Sequence, residues 1–549
     1  MKNVYYLLVI FFLTLSCQTT FTKTEKEIPF DWKNVNLYFL LIDRFNNGDT
    51  SNDINFNRTK KAATLRGFEG GDLKGIIKKI NEGYFTDLGI NAIWMTPVVE
   101  QIHGATDEGT GLTYGYHGYW AKDWTTIDPN YGTKEDLHEL VKVAHENGIR
   151  ILLDAVINHT GPVTEKDPVW PENWVRTSPK CEYNNYNSTV DCTLVENLPD
   201  IRTDSNENVE LPLHLVDKWK QEGRYDQEIK ELDDFFARTN YPRTPRYYII
   251  KWLTDYIIEF GIDGYRADTV KHTEDFVWSE FKTECDYAFQ KFKENNPEKV
   301  LDDNDFYLVG EVYNYGISSG KYFNYGDKVV DFYDDKFTSQ INFEFKWNAA
   351  QMSLENIHMK YDSILHNQLE QFSVLNYLSS HDDGNPFDTL REKTKQAANI
   401  LLLSPGGSQM YYGDETARIL KIDGAIGDAN LRSFMNWNDI EINELTKETL
   451  IHYQKLGKFK KFHPAIGAGK HHKISNAPYT FARTYTRGNY TDLVVIMLDG
   501  PLGKKEIDVS GYFKNNQKII DAYSGITSIV TDGKVVLESD YTIVLLESR

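Results

Sequence analysis

The stretch FGIDGYRADTVKH, residues 260–272, begins with apolar residues and glycines and ends in charged ones. Arg266 stands two residues before Asp268, so on a strand both side chains point to the same face. Lys271 and His272 follow at once. An ordinary surface strand would carry such charges singly, as solvated side chains. A strand of a parallel barrel would carry them together at its carboxyl end, where barrels of this kind place their reactive groups.

The rest of the chain alternates short apolar runs with helical patterns. Helical spacing predicts helices at 75–89, 134–148 and 246–261. Apolar runs predict strands at 35–45, 90–98, 149–157, 262–268, 306–313 and 372–380, with a helix end and a further strand in 401–415. Such alternation is typical of an α/β fold with a parallel sheet. Its length favours a closed (β/α)8 TIM barrel over an open doubly wound sheet.

Two segments interrupt the alternation. Residues 159–245 are rich in Asn, Pro, Asp and Tyr, and they are too many for a structureless loop inside a barrel. They predict a domain inserted after the third strand. Beyond Lys460, β-rich runs separated by turn residues predict a C-terminal antiparallel β-sandwich domain at 461–549. The barrel then comprises residues 30–158 and 246–460.

The N-terminus, MKNVYYLLVIFFLTLSC, places a lysine before an apolar run of signal-peptide length. The run ends in Leu15-Ser16-Cys17, which resembles the lipobox of bacterial lipoproteins. That resemblance implies a signal peptide at 1–16, lipidation of Cys17 and a tether at 17–29. We expect a chain anchored by lipid in a bacterial cell envelope, on the periplasmic or the cell-surface face. An ordinary secretory signal, and hence a secreted protein, is the alternative.

Composition limits the partners. The formal net charge is −21 and the pI about 5.2, and no basic patch is present. We therefore expect no nucleic-acid partner and no membrane contact except through the lipid. The acidity fits a neutral substrate and bound cations, and the 34 Tyr and 11 Trp allow stacking on sugar rings. We expect a monomer.

The cysteines fit an exported protein. Cys181 and Cys192 lie in a polar stretch and could close a disulfide loop, which loop-entropy arguments value at roughly 3 kcal/mol. Cys285 lies in a helical pattern and is expected to be buried or free. No Cys/His group has the spacing of a zinc site.

Reactive side chains recur where the predicted strands end. Any one acidic residue in such a position could simply cap the next helix. Three carboxylates from three strand ends, those of Asp268, Glu311 and Asp382, would, however, meet at one barrel mouth. The stretches are DAVINHT with Asp154, Asn158 and His159; YRADTVKH with Arg266, Asp268, Lys271 and His272; VGEVY with Glu311; and LSSHDD with His381 and Asp382.

These four stretches resemble, in order and spacing, the four short motifs of the α-amylase family, glycoside hydrolase family 13. GINAIWMTPV (89–98), NLPDI (197–201) and GGSQMYYGDE (406–415) are similar to further motifs of that family. The resemblance extends from about residue 30 to the C-terminus, and the extended pattern resembles exported bacterial α-amylases.

The resemblance implies retaining endo-hydrolysis of α-1,4-glucosidic bonds in starch, glycogen or maltooligosaccharides through a covalent glycosyl-enzyme. Asp268 would be the nucleophile and Glu311 the acid/base, since retaining glycosidases use two carboxyl groups roughly 5 Å apart. Asp382 would hold sugar hydroxyls and favour the distorted ring. Arg266 would favour the charged form of Asp268, and neighbouring negative charge would keep Glu311 protonated.

The resemblance also implies substrate contacts. Tyr116 would stack beneath the sugar in the −1 position, and His159 and His381 would donate hydrogen bonds to it. Lys271 and His272 would line the acceptor side. The full set of expected substrate-binding residues is Tyr116, His117, Trp120, His159, Arg266, Lys271, His272 and His381.

Two Ca2+ sites follow from the same resemblance. One would pin the inserted domain to the barrel through Asn158, Asp200 and the backbone carbonyl of His272. The other resembles a calcium loop of cyclodextrin glucanotransferases and some amylases, although NNGDTSND could also be a polar turn. Oxygen ligands of this kind suit calcium. The matching positions in the second site are Asn47, Asp49, Asn52, Asp53, Gly70 through its carbonyl, and Asp72.

Two departures bear on the alternatives. Glu196 stands near the position where glucanotransferases carry an aromatic residue, which weakens the reading as a 4-α-glucanotransferase or cyclodextrin-forming transglycosylase. Ser380 replaces the Asn of chloride-activated amylases, so we expect no chloride dependence. A non-catalytic glucan-binding protein is the third reading, and the presence of Asp268, Glu311 and Asp382 argues against it.

Overall fold

The computed structural model describes residues 28–548. The predicted signal peptide, Cys17 and most of the tether lie outside this range. Within it, no helix is both long and apolar enough to cross a bilayer.

Eight parallel strands close into the predicted barrel, each paired with the next and the last paired with the first. Burial on both faces explains why seven of them read as continuous apolar runs in the sequence. The strands are β1 Asn36–Leu40, β2 Ala92–Met95, β3 Arg150–Ala155, β4 Gly264–Ala267, β5 Tyr307–Gly310, β6 Ser339–Asn342, β7 Ser373–Tyr377 and β8 Gly407–Tyr411.

Helices connect these strands and cover the barrel. The helix Lys134–Glu146 shows why they form, because a capping box of Thr133 and Asp136 starts it and one apolar face is buried. The main helices are Leu73–Asn81, Tyr84–Asp87, Lys134–Glu146, Pro245–Phe260, Asp275–Asn295, Glu344–Gln351, Leu354–Leu365, Thr394–Leu403 and Glu444–Phe462.

Three local predictions differ from the structure. The segment 75–89 forms two helices, because Gly83 has a φ of 79° that ends the first one. The first strand stops at Leu40 and is followed by a helical turn, Ile42–Phe45. The strand β6, with sequence SQIN, was not predicted, because its buried residues are mostly polar.

The inserted segment packs directly on the barrel. Trp174 and Trp219 lie with their ring centroids 6.2 Å from that of Trp252 on the helix Pro245–Phe260, and all three belong to one continuous apolar core. A disulfide joins Cys181 and Cys192. The elements of this segment are the strands Val175–Arg176 and Asp200–Ile201 and the helices Asn187–Val190, Leu213–Gln221 and Tyr225–Thr239.

The C-terminal part is an antiparallel sandwich with an apolar core of its own. Its sheet of six strands has the order β9-β10-β11-β16-β13-β14, and a second sheet pairs β12 with β15. The strands are β9 Lys470–Asn476, β10 Tyr479–Arg487, β11 Tyr490–Leu498, β12 Gly503–Asp508, β13 Lys518–Asp521, β14 Thr527–Ile529, β15 Lys534–Ser539 and β16 Val544–Ser548.

Candidate active site

Arg266, near the end of β4, holds carboxylates from three adjacent strand ends. Its Nη1 lies 3.0 Å from Asp154 and 2.6 Å from Asp268, and its Nη2 lies 3.0 Å from Glu311. The Arg266 side chain is only 1% exposed, so these ion pairs are shielded from water. Because one guanidinium contacts both Asp268 and Glu311, the two carboxyl groups are close neighbours at the barrel mouth.

Asp154 is held in place by further protein donors besides its ion pair with Arg266. Its Oδ2 accepts hydrogen bonds from Trp94 Nε1 at 3.1 Å and from the Tyr119 hydroxyl at 2.8 Å. Burial raises the pKa of Asp154 to about 7, against the opposing effect of the Arg266 charge. With its oxygens occupied by protein donors, Asp154 is placed to orient Arg266 rather than to react.

Glu311 is a strongly perturbed acid at the mouth. Its pKa is raised to about 8, chiefly by burial and also by the charges of Asp268 and Asp382, while Arg266 acts in the opposite direction. One oxygen accepts a hydrogen bond of 3.0 Å from the backbone N–H of Thr269, which has a positive φ of 50°. A carboxylic acid protonated near neutral pH can donate a proton.

Asp382 completes the predicted carboxylate trio from the end of β7. Its side chain is 39% exposed, much more than that of Asp268 or Glu311. The Ser380 hydroxyl donates a hydrogen bond of 3.2 Å to Oδ1. Asp382 therefore lies at the open side of the site, where a ligand could reach it.

The predicted histidines are buried around Tyr119. Its ring stacks between those of His117 and His381, with centroids 5.9 Å and 5.2 Å away. Burial lowers the pKa of His117, His159 and His381, so all three are neutral at pH 7. His159 Nε2 lies 3.1 Å from the Tyr119 carbonyl, so the ring already donates to the protein. Its bond to a sugar stays a prediction.

Tyr116 lies among cationic side chains. The Arg44 guanidinium is 3.9 Å from the centroid of its ring, and its buried hydroxyl has no hydrogen-bond partner among the described residues. Arg432 donates from Nε to the His381 carbonyl at 2.9 Å and pairs with Asp428 at 2.8 Å. Trp120 packs edge-on against His117, at 4.6 Å between centroids.

Lys271 and His272 meet the disulfide loop, residues 181–192. The His272 Nδ1 donates to the Thr189 carbonyl at 3.1 Å, and burial lowers the pKa of His272 to about 4. Lys271 Nζ lies 5.9 Å from the ring centroid of Tyr183 in this loop and 5.0 Å from that of Tyr313. Both tyrosines are about half exposed, so they present flat apolar faces beside the mouth.

The expected cation loop at residues 47–72 fits a hard cation in part. The carbonyl oxygens of the Asn47 and Asn52 side chains are buried and have no hydrogen-bond partner within residues 28–548. A Cβ at Gly70, whose φ is 89°, would lie 2.6 Å from Asn47 Nδ2 and 2.8 Å from Asp53 Oδ1, so the backbone approaches these side chains closely. Oxygen donors that are buried and unpaired suit calcium.

The two remaining acids of this loop have partners in the chain. Asp49 pairs with Lys74 at 2.6 Å. Asp72 accepts from the backbone N–H groups of Gly48, Asp49 and Gly75. Their coordination of a cation stays a prediction.

The ligands expected where the inserted segment meets the barrel, Asn158 and Asp200, are also partly engaged by the protein. Asn158 Oδ1 lies 3.3 Å from the Thr273 hydroxyl, and Arg176 Nε lies 3.0 Å from Asp200 Oδ2. The Asp200 carboxylate is therefore already paired with the Arg176 guanidinium. Three further carboxylates, those of Asp191, Asp204 and Glu274, converge beside it.

The sequence identified Asp154 as an acid at a strand end but indicated no role for it. Tyr119, Arg432 and Arg176 were not identified as functional residues at all. Each of these acts through a partner that is distant along the chain. No local pattern marks such pairs, although the position of Asp154 at the end of β3 indicated that it faces the mouth.

Comparison with known proteins agrees with this geometry. The family model described as alpha amylase, catalytic domain, matches residues 39–460. A periplasmic alpha-amylase of Escherichia coli is 35% identical over 505 residues, covering 82% of this chain and 70% of that protein. A cyclomaltodextrin glucanotransferase of Geobacillus stearothermophilus is 26% identical over 494 residues, covering 84% of this chain and only 59% of that protein.

Solved structures show the same fold. An Anoxybacillus alpha-amylase superposes with a TM-score of 0.64 at 23% identity, covering 95% of this chain and 99% of the other. A cyclomaltodextrin glucanotransferase with three domains gives a TM-score of 0.63 at 22% identity, covering 94% and 99%.

Proposed function

The chain belongs to the α-amylase family, and on that premise we propose that it hydrolyses internal α-1,4-glucosidic bonds of starch, glycogen or maltooligosaccharides with retention of configuration. The observation that carries the proposal is the contact of one buried guanidinium with both Asp268 and Glu311 at the barrel mouth. That contact brings the two carboxyl groups of a retaining glycosidase together.

In the first step, Asp268 attacks the anomeric carbon while Glu311 protonates the departing glycosidic oxygen. The Arg266 charge stabilises the Asp268 carboxylate, and the raised pKa of Glu311 keeps its proton available. Asp382, open to the cleft, accepts hydrogen bonds from sugar hydroxyls and favours the oxocarbenium-like ring. In the second step Glu311, now ionised, takes a proton from water, which displaces Asp268 from the glycosyl-enzyme.

The remaining expected contacts shape the two sides of the cleft. We propose that Tyr116 and the neutral His381 border the sugar on the non-reducing side, with His117, Trp120 and His159 behind them. Lys271, Tyr183 and Tyr313 border the acceptor sugar, since exposed aromatic faces stack on sugar rings.

Following amylose digestion by proton NMR and chromatography tests the activity. We expect the α-anomer to appear first, together with linear products of intermediate length. Products that first appear as the β-anomer would refute the retaining mechanism. Cyclic products would favour the transglycosylase, the activity named for several relatives, and binding without hydrolysis would favour a glucan-binding protein.

The pKa of Glu311 predicts the alkaline limit of activity. Glu311 must be protonated to act as the acid, and its protonated fraction falls as pH rises through about 8. We therefore expect kcat/KM on maltooligosaccharides to stay high through neutral pH and to fall above about pH 8. A glycosyl fluoride needs no acid assistance, so its glycosylation step should lack this alkaline fall. An alkaline limb near the usual glutamate pKa would contradict the assignment.

We infer an extracytoplasmic location in a bacterial envelope or outside the cell. The Cys181–Cys192 disulfide fits an oxidising compartment, and one relative is a periplasmic enzyme. The anchoring lipid on Cys17 is a separate proposal, supported by the Leu15-Ser16-Cys17 sequence. Mass spectrometry of the mature N-terminus would detect it, and a free amino-terminal residue elsewhere would exclude it.

A further inference from the structure

Trp347 is the one exposed tryptophan of the chain. All eleven tryptophans lie within the described residues 28–548, and the other ten are buried or half-buried, whereas Trp347 is 49% exposed. The helix Glu344–Gln351 that carries it is firmly packed, since Phe345 and Asn348 on the same helix are buried. A large flat ring is therefore presented to solvent from a fixed position.

This helix begins at the barrel mouth, just after the end of β6. Phe343, the residue before the helix, packs edge-on against Tyr313 and Tyr377, with ring centroids 5.2 Å and 5.6 Å away. Tyr313 lies two residues after Glu311 in the chain. A spacing of four residues on a helix places Trp347 on the same face as Phe343, at about 5–6 Å between Cβ atoms. Trp347 therefore lies one helical turn beyond a ring that contacts Tyr313.

Lys346 joins the same helix to the cleft through Asp383. Its ammonium pairs with the carboxylate of Asp383, the residue after Asp382, and lies 4.7 Å from the centroid of the Trp347 ring. A cation over an aromatic ring is attracted to its face, so this contact favours one orientation of the ring. Asp383 also accepts a hydrogen bond of 2.7 Å from the Tyr377 hydroxyl. Trp347 is thus held beside the open side of the site.

Tyr313 connects this ring to the proposed catalytic centre. Its half-exposed ring lies 5.0 Å from Lys271 Nζ, on the proposed acceptor side. Burial raises the pKa of Tyr313, and the nearby charges of Asp382 and Glu311 raise it as well, so its hydroxyl is close to both carboxyl groups. Two exposed aromatic rings, first Tyr313 and then Trp347, therefore follow one another outward from Glu311.

We propose that Trp347 is a stacking platform for a distal sugar on the acceptor side of the cleft, and that it makes this chain favour long glucans. Flat aromatic faces of this kind suit the apolar faces of sugar rings. A single exposed aromatic residue needs no functional explanation, but the helix of Trp347 contacts the cleft twice, through Phe343 and through Lys346. None of the stretches that resemble the α-amylase family contains Trp347. The inference rests on the proposed hydrolysis of glucans.

Steady-state hydrolysis of maltotriose and maltoheptaose by the full chain tests the platform. For Trp347→Ala we expect KM on maltoheptaose to rise about threefold to tenfold, the scale of one aromatic contact, with kcat nearly unchanged. Maltotriose is too short to reach past Tyr313, so its kcat/KM should stay the same. Trp347→Phe keeps a flat ring and should retain most of the native preference.

Phe462→Ala is the matched control. Phe462 is 53% exposed and lies beside Arg150, the first residue of β3, at the end of the barrel opposite the mouth. This variant should leave both substrates unaffected. An equal loss on maltotriose and maltoheptaose in Trp347→Ala would overturn the proposal, because a platform distant from the scissile bond acts on the long substrate alone.

Maltoheptaose labelled at its reducing end reports the side of the cleft on which the platform lies. Sugars on the acceptor side leave as the labelled fragment, so Trp347→Ala should release shorter labelled fragments than the native protein. A purely structural role for Trp347 would not shift this distribution, and unchanged labelled fragments would overturn the proposal.

Failure of the proposed activity would be recognised separately. In that case the native protein would hydrolyse neither substrate, whatever residue stands at position 347. Calorimetric titration with maltoheptaose would then test the platform by binding alone. Weaker binding by Trp347→Ala than by Phe462→Ala would support it, and equal affinity in the two variants would overturn it.

Discussion

Replacing Asp268 by Asn is expected to lower kcat on soluble starch by at least about four orders of magnitude, the scale of loss when a reacting group is removed. The amide has nearly the shape of the carboxylate but cannot form the glycosyl-enzyme. The substitution removes one of the three carboxylates that contact Arg266. The contacts of Asp154 and Glu311 with that guanidinium should persist, so the site should stay folded. The loss should therefore appear in kcat and leave maltooligosaccharide binding largely intact.

Glu311→Gln separates the two carboxyl roles. This variant should also be nearly inactive on starch, but it should still react with a maltosyl fluoride, whose leaving group needs no proton. Added azide should then restore turnover by attacking the glycosyl-enzyme from the side that Glu311 leaves open. Asp268→Asn should show neither behaviour. If Asp268→Asn kept activity, or if azide restored it with retained configuration, the assignment of nucleophile and acid would be wrong.

The two carboxylates proposed as nucleophile and acid could be located from the sequence because each follows an apolar strand directly along the chain. Asp268 and Glu311 lie one residue beyond the last residues of β4 and β5, so the strand run and the reactive group share one short stretch. Seven of the eight barrel strands could likewise be predicted, because each forms one short apolar run in the sequence. A resemblance that combined these stretches gave their roles.

The strand β6 was missed because its interior is polar. Gln340 and Asn342 are buried there, and their amides donate to the Phe332 carbonyl and to the Asn376 side chain. Partners 8 and 34 residues away along the chain make these polar groups compatible with burial. A pattern of apolar residues cannot reveal a strand that is stabilised in this way.

The convergence of three further carboxylates beside Asp200 escaped prediction for a related reason. Asp191, Asp204 and Glu274 come from different segments, and each reads as an ordinary polar residue in its own surroundings. Only the folded chain shows that their oxygens converge and that Arg176 is shared. Long-range electrostatics of this kind depends on tertiary structure, whereas strand ends and capping residues are local.

Arg266→Lys should be the most damaging substitution that preserves charge. Lysine carries one compact ammonium, which cannot contact Asp154, Asp268 and Glu311 at once as the planar guanidinium does. We expect kcat/KM to fall by about 10²- to 10³-fold, the effect of losing one preorganised electrostatic contact. We also expect a lower Tm, since breaking a buried ion pair costs about 3–5 kcal/mol.

The pH profile distinguishes this electrostatic role from simple loss of structure. In the native protein the Arg266 charge lowers the pKa of Glu311 against the effect of burial. A lysine that no longer reaches Glu311 should let that pKa rise, so the alkaline limb of kcat/KM should move to higher pH. The double variant Arg266→Lys/Asp154→Asn removes one buried negative charge and should recover part of the lost Tm without recovering activity. If the alkaline limb of Arg266→Lys lay at the same pH as in the native protein, Arg266 would position the carboxylates without setting the protonation of Glu311.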